Sequence, residues 1–562
     1  MKMAAWMAGL ALLATAPLCS AQAAPKEGVS IQEKKLAVIP DTYRPMDIVF
    51  SPDGRTVAYA ASKGGKEFIV VGEKKGEGFD KVSYPVFSPD GKTVAYAAGN
   101  AGKESVVLGE KRGEEFDRIV IAVSHYEPYL RKSLLFSQDG KSLVYVAMKG
   151  GKQFVVVGDK KGEAFDQIVG LTFGSDGKTP LYIAQNGGRQ TKGDCIDGPL
   201  TMFLVLGEKK GQGHEFDRVN TDLIFDSGGS TGAYIGFHGD RESLVGKYCV
   251  VVGDKKGEEF DYVAPYPKFS AGGKWLAYGA MNTKSNRNFY VVLGDQKFEG
   301  ATSPLFSPDG TTLAFTRNGK IEVAVSADRG QTFAAPVAAA QTTWPGYFGV
   351  NNLVFSPDGK TFAYSTFNTK TADGQGSYCV VVGDQKGEDF EEISTLVVSP
   401  DNKTVAYTVA NGRQAGDLKT FVVVGDRKGE ELWEGSTVPV LPRFSPDGRT
   451  VAYVAGKVIE GKAGQYVVVG EKWGERFDEI AYRSLVFSPD GKTIAYSAYG
   501  GTSSQRKMVV IVGNKRSEAF DGIGAAGIPA VPRLSFSADG RKVAFGAFMG
   551  REIWWKVIEV KP

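Results

Sequence analysis

The chain has 562 residues, and its 67 lysines and arginines nearly balance 64 aspartates and glutamates, leaving a formal net charge of +3. That balance gives no bulk attraction to nucleic acid or to an anionic membrane surface. With 42% hydrophobic and 11% aromatic residues, the chain is neither disordered nor collagen-like despite its 72 glycines, and three histidines leave little for a histidine-rich metal centre. Length alone allows about three or four domains.

The N-terminus reads as a targeting segment. Lys2 supplies a positive charge, residues 3–18 are apolar apart from Thr15, and Ala21-Gln22-Ala23 has the small-residue pattern of a cleavage site. This predicts a signal peptide over residues 1–23, a mature chain beginning near Ala24, and a periplasmic or secreted location. Leu18 stands where a lipoprotein signal needs a small residue, so Cys19 is not read as a lipid anchor. No other stretch approaches the roughly 18 apolar residues of a membrane span, so no transmembrane segment is expected. Cys195, Cys249 and Cys379 remain after cleavage. An odd number cannot all pair within one chain, and the sequence leaves open whether any two form a disulfide.

From Phe50 onward the sequence repeats. Phe50-Ser51-Pro52-Asp53-Gly54-Arg55-Thr56-Val57-Ala58-Tyr59 returns from Phe87, Phe306, Phe355, Phe444 and Phe487, and more loosely from Phe136, Phe173, Phe225, Phe269, Val398 and Phe536. These twelve copies are 37 to 52 residues apart. A second phrase, Val70-Val71-Gly72-Glu73-Lys74-Lys75-Gly76-Glu77-Gly78-Phe79-Asp80, follows most of them, shortened at Gly294. Ser-Pro-Asp-Gly suits a tight turn: Pro presets φ, Asp bonds nearby backbone, and Gly accepts a positive φ. Thr-Val-Ala-Tyr alternates as a strand, and Val-Val-Val is continuous, as in a strand buried on both faces.

Each unit therefore predicts four antiparallel strands, a to d, with turns a–b and c–d near-constant. Such small sheets must stack to bury their faces, so the expected fold is all-β: a β-propeller of twelve four-stranded blades. Single rings usually hold about four to eight blades. The simplest arrangement is two tandem six-bladed propellers, with repeats one to six in residues 24–300 and repeats seven to twelve in residues 301–562. The last unit ends after strand c, and residues 35–39 are expected to supply its missing outer strand.

The Ser-Pro-Asp-Gly-Lys-x-x-Ala-Tyr phrase resembles the WD-like repeat of TolB-type propellers, found also in propeller domains of prolyl-oligopeptidase-type enzymes. In unit seven the second phrase gives way to Ser326-Ala327-Asp328-Arg329-Gly330-Gln331-Thr332-Phe333, which resembles the Asp-box of sialidase-type propellers, a structural turn between strands c and d. The resemblance implies a propeller and leaves function open, since such repeats serve many roles. Twelve repeats without a recognisable preceding domain depart from the TolB pattern, so its partner role does not transfer.

Candidate chemistry is sparse. Gly228-Gly229-Ser230-Thr231-Gly232 fits G-x-S-x-G, but it falls where unit five needs its a–b turn and is read as that turn. His125, His214 and His238 lie in three units without a metal-binding companion motif. Asp194, Cys195 and Asp197 lack the spacing of a calcium loop and read as solvated. Cys249 and Cys379 precede valine runs where other units carry Phe or Tyr, so they read as packing residues. Glu73, Lys74, Lys75 and their copies are expected to keep hairpin tips soluble. No catalytic residue, metal site or cofactor is implied.

Binding residues are expected in the variable connections. The d–a connections carry Tyr84, His125, Tyr126, Tyr129, Tyr266, Trp344, Tyr347, Phe348 and Tyr482, with Arg131, Arg483 and Arg533 nearby. The longer b–c loops span 186–200, 281–288, 367–377 and 411–420. The predicted function is an exported, non-enzymatic scaffold that binds a protein or cell-envelope partner through this face. The competing reading of the aromatics is a plug at the channel mouth. The alternative function is a glycosidase- or lyase-like enzyme, or a carbohydrate-binding protein, with its site at that mouth.

Overall fold

The computed structural model describes residues 31–560, apart from 121–133, 175, 191–194, 227, 241–244, 266, 284–287, 318–319, 327–331, 336, 339–346, 369–375, 384, 413–418, 433–440, 460–461, 482–483, 501–505 and 524–533. Within them the chain is all-β, and its strands pair antiparallel in sheets of the repeating order a–b–c–d. Unit one sets the plan with strand a (Arg44–Phe50), strand b (Val57–Lys63), strand c (Lys66–Val71) and a short strand d (Lys74–Lys75). Units four and five share one eight-stranded sheet.

The a–b turn is built by its own side chains. Ser51 Oγ donates to Asp53 Oδ1 at 2.7 Å, and the Arg55 N–H donates to the same carboxylate oxygen at 3.0 Å. The Thr56 N–H donates to Ser51 Oγ at 3.0 Å, and Gly54 turns the chain at φ +67°. The same bonds recur at Ser88–Asp90, Ser356–Asp358 and Ser488–Asp490.

Successive a–b turns touch. A β-carbon on Gly91 would lie 3.3 Å from Ser51 of the preceding unit, and one on Gly491 would lie 3.2 Å from Ser445. At the c–d turns, Gly72, Gly158, Gly383 and Gly470 have nothing within 4 Å. The units thus converge at strand a and splay apart at strand d, which places strand a on the inner edge. This radial stacking of four-stranded sheets is propeller architecture.

A hydrophobic core fills each gap between neighbouring units. Ala58, Ala60 and Ile69 of unit one pack with Phe79, Val94 and Tyr96 at the junction with unit two. At the junction near residue 300, Ala277, Val291 and Leu293 of unit six share a core with Leu313 and Phe315 of unit seven. The two ends of the chain meet. Ile31–Val38 pairs antiparallel with Glu552–Glu559 as the outer strand of unit twelve, and Leu36, Ala37 and Ile553 join Ile48, Val57 and Tyr59 of unit one in a core.

Two polar joints recur between units. In the first, Asp80 accepts from Lys66 of its own unit at 2.7 Å and from the Ala101 N–H in the next unit's b–c turn at 2.8 Å. Asp117 does the same with Lys103 and Gly150, and Asp166 with Lys152 and Gly187. In the second, Lys161 lies over Phe116 of the preceding unit and Phe154 of its own, 5.9 and 6.0 Å from the ring centres, and bonds Glu114 at 2.9 Å. Lys210 repeats this over Phe165 and Phe203, bonding Glu163. The second lysine of the c–d phrase is therefore an inter-unit clasp rather than a solubilising tip, its stem and charge covering the edge of the core.

Candidate functional site

The innermost strand of unit after unit is interrupted opposite the middle of strand b. In unit two, Val82 pairs with Ala98 and Val86 with Ala95, so Ser83, Tyr84 and Pro85 oppose only Tyr96 and Ala97. This is a β-bulge on the inner edge. Ser83 rebuilds the broken ladder: its N–H donates to Ala97 O at 2.8 Å, and its Oγ accepts from the Ala97 N–H at 2.9 Å. Ser484 plays this part in unit eleven, accepting from the Ser497 N–H at 2.9 Å and donating to Ala481 O at 2.6 Å.

Elsewhere the interruption turns the backbone left-handed. Between Thr302, paired with Thr316, and Leu305, paired with Ala314, Ser303 has φ +57°. The Thr302 and Thr316 hydroxyls lie 2.7 Å apart across the two strands. In unit eight, Asn352 has φ +51°, and its Nδ2 donates to Ile393 O of unit nine at 3.3 Å. A non-glycine residue in this region costs on the order of 1 kcal/mol or more and persists only where its surroundings hold it. Pairing shifts mark the same place between Met46 and Val49 in unit one and between Ile393 and Leu396 in unit nine. The result is a series of irregular inner-edge segments around the axis.

The structure relocates some of the sequence-predicted site. Tyr84, 38% exposed, sits in the unit-two bulge, within strand a rather than in a d–a loop. The d–a link itself is minimal, because Phe79 still bridges Glu67 and Lys81 already pairs with Gly99. Tyr347 and Phe348 begin strand a of unit eight, opposite Asn368 and Phe367, and so belong to the same inner edge. His125, Tyr126, Tyr129, Tyr266, Trp344, Tyr482, Arg131, Arg483 and Arg533 lie outside the described residues. Sequence reasoning missed Ser83, Ser303, Asn352 and Ser484. Pro85 and Pro304 were the available signal, since proline cannot donate to a ladder.

Other expectations are also revised. The presumed loop 186–200 is largely a long hairpin, Pro180–Gln190 with Cys195–Leu206, and Asp197 pairs with Arg218 in the joint sheet of units four and five. The G-x-S-x-G segment is a tight a–b turn: Ser230 Oγ donates to Asp226 at 3.0 Å, and a β-carbon on Gly229 would meet Gly174 at 2.6 Å. His214 Nε2 lies 3.0 Å from Asp254 O, and His238 packs on Phe216 with ring centres 4.9 Å apart. Among the described residues, no group of three or more His, Cys, Asp or Glu is placed to hold a metal ion. Cys249 and Cys379 are buried in inter-unit cores, and burial pushes each thiol up to about 12. Phe333, at the end of the Asp-box-like phrase, is buried against Trp275 and Phe306. No helix among the described residues is long and apolar enough to cross a membrane.

No protein-family model and no curated protein matches this chain. Solved structures show distant similarity. A eukaryotic initiation factor matches at 11% identity over 75% of this chain and 92% of its own, with a TM-score of 0.37. The Dos1 propeller matches at 12% identity over 59% of this chain and 91% of its own, with a TM-score of 0.28. The Niastella koreensis GH74 enzyme matches at 12% identity over 93% and 99%, with a TM-score of 0.25. Similarity at these scores carries no functional argument, and the propeller architecture rests on the strand order and packing described above.

Proposed function

We propose that the twelve units form one closed ring, and that this ring is a non-enzymatic scaffold, exported to the periplasm or beyond the cell, that grips a protein or cell-envelope partner at its inner edge. The observation that carries this reading is the row of interrupted inner strands. The constant a–b turns are occupied in unit-to-unit contacts, whereas the inner segments differ from one unit to the next and present Tyr84, Ser303 and Asn352 on a rigid support. Tyrosines and amide side chains on such a support suit recognition of a protein surface.

The test is affinity purification from envelope extract with the wild-type chain and a Tyr84→Ala, Tyr347→Ala, Phe348→Ala variant. The variant is expected to lose the wild type's partners while keeping its melting temperature. Recovery of the same partners by both would overturn the choice of surface.

A further inference from the structure

The groove that receives the N-terminal strand on unit twelve is chemically selective. Lys556 of strand c has a side chain only 2% exposed, lying over Trp554 at 4.4 Å and Phe520 at 5.7 Å from the ring centres. Its ammonium bonds Glu518 of unit eleven at 2.9 Å and Glu33 of the incoming strand. In other units this cation comes from strand d, as with Lys161 and Lys210. Here the receiving sheet supplies the cation and the incoming strand supplies the carboxylate. Around this pair, Gln32 bonds Glu559 at 2.8 Å, Lys35 bonds Glu552 at 2.8 Å, and Leu36 and Ala37 are buried in the core with unit one. Arg551 fastens the link that follows, donating to the carbonyls of Ile39, Pro40 and Tyr43.

Residues 31–38 make their ladder with Glu552–Glu559 alone and are joined to unit one by only residues 39–43. With the strand absent, Lys556 and apolar surface would be open to water, and a strand lacking the acid would bury Lys556 with one carboxylate instead of two. Burying charge without full compensation is costly, so the groove favours an extended segment with an acid at position 33 and small apolar residues at 36 and 37. We propose that this seat is an exchangeable strand-binding site whose second occupant is the N-terminal strand of another copy of this chain, so that two rings associate by trading residues 31–38. An identical element carries identical complementarity, which makes such a trade inexpensive.

The experiment uses the full mature chain with a protease site inserted between Asp41 and Thr42, folded first and then cut. A fluorescent peptide of residues 24–41 is expected to exchange into the cut ring, and a Glu33→Lys peptide to bind at least tenfold more weakly. Two differently tagged uncut chains, warmed together just below their melting temperature, are expected to co-purify. Equal binding of the two peptides, no entry of the labelled peptide, or tagged chains that never co-purify would each overturn the proposal.

Discussion

The hydroxyl of Tyr96 stands 3.4 Å from the point where a β-carbon on Gly76 of the preceding unit would sit. The same β-carbon would lie 2.9 Å from the carbonyl oxygen of Ile69, and the contact recurs between Gly257 and Tyr278 and between Gly474 and Tyr496. The second glycine of the c–d phrase is therefore kept by close approach, whereas Gly64, at φ +61° in open space, is kept by backbone conformation. Gly76→Ala is expected to cost about 1–3 kcal/mol by overpacking, and Gly64→Ala about 1 kcal/mol by strain. A Tyr96→Phe background should leave most of the Gly76→Ala cost in place, because the tighter approach is to the Ile69 carbonyl. Urea melts of the single and double variants read this coupling.

Acid should loosen the a–b turns. Bonds from Ser137 and the Lys141 N–H lower the Asp139 carboxyl to about 2, and Asp90, Asp358 and Asp490 are lowered by equivalent bonds, from Ser88, Ser356 and Ser488 first. A carboxyl depressed in the folded state contributes stability above its unfolded pKa, near 4, and loses it as pH falls through the folded value. Melting temperature is therefore expected to drop between about pH 4 and pH 2. Asp90→Asn should weaken that dependence.

Alkali should act through the buried tyrosines. Burial raises Tyr145, Tyr182, Tyr407 and Tyr453 to about 12. Their unfolded pKa is near 10, so the unfolded state ionises first, and stability present below about pH 10 is lost above it. Phenolate absorbance from these residues is expected to appear together with unfolding. Gradual ionisation of the intact fold would contradict this.

Thiol chemistry offers a check on the inter-unit cores. In a chain lacking residues 1–23 and carrying Cys195→Ser, Cys249 and Cys379 are expected to resist a colorimetric thiol reagent in the native state. Both should react in denaturant. Rapid native labelling would mean that the cores of units four–five and seven–eight open readily.

The single-ring arrangement has a direct readout. Electron microscopy of the chain lacking residues 1–23 is expected to show one annulus of twelve radial arms. Two smaller discs joined side by side would overturn it.

The all-β architecture was legible because each turn demands particular residues, as Ser51, Asp53 and Gly54 show. The packing role of Cys249 and Cys379 was legible by comparison with Phe68 and Phe154, their counterparts in other units. The packing at residue 300 was not, because Leu313 and Phe315 of unit seven alternate just as Val94 and Tyr96 of unit two do, and alternation does not reveal which neighbour a face meets. The clasp made by Lys161 was hidden for a related reason: a lysine beside a turn looks solvated until the preceding unit's Phe116 and Glu114 are set against it. The inner-edge site was half visible. Its aromatics stood out, but the strand on which Tyr84 lies continues past Pro85 because Ser83 repairs the ladder with its side chain, a repair that composition does not announce.

The seat of the N-terminal strand also fixes an order of events in folding. Residues 31–38 are among the first of the fold to be made, and their partners, 552–559, are among the last. For more than 500 residues of synthesis this segment waits without its ladder, carrying Glu33, Lys34 and Lys35 in its middle. Those charges discourage pairing with the wrong edge in the interval. The slowest contact to form is then also the one that joins the first unit to the last, so this pairing is expected as a late, single step limited by bringing two distant chain ends together.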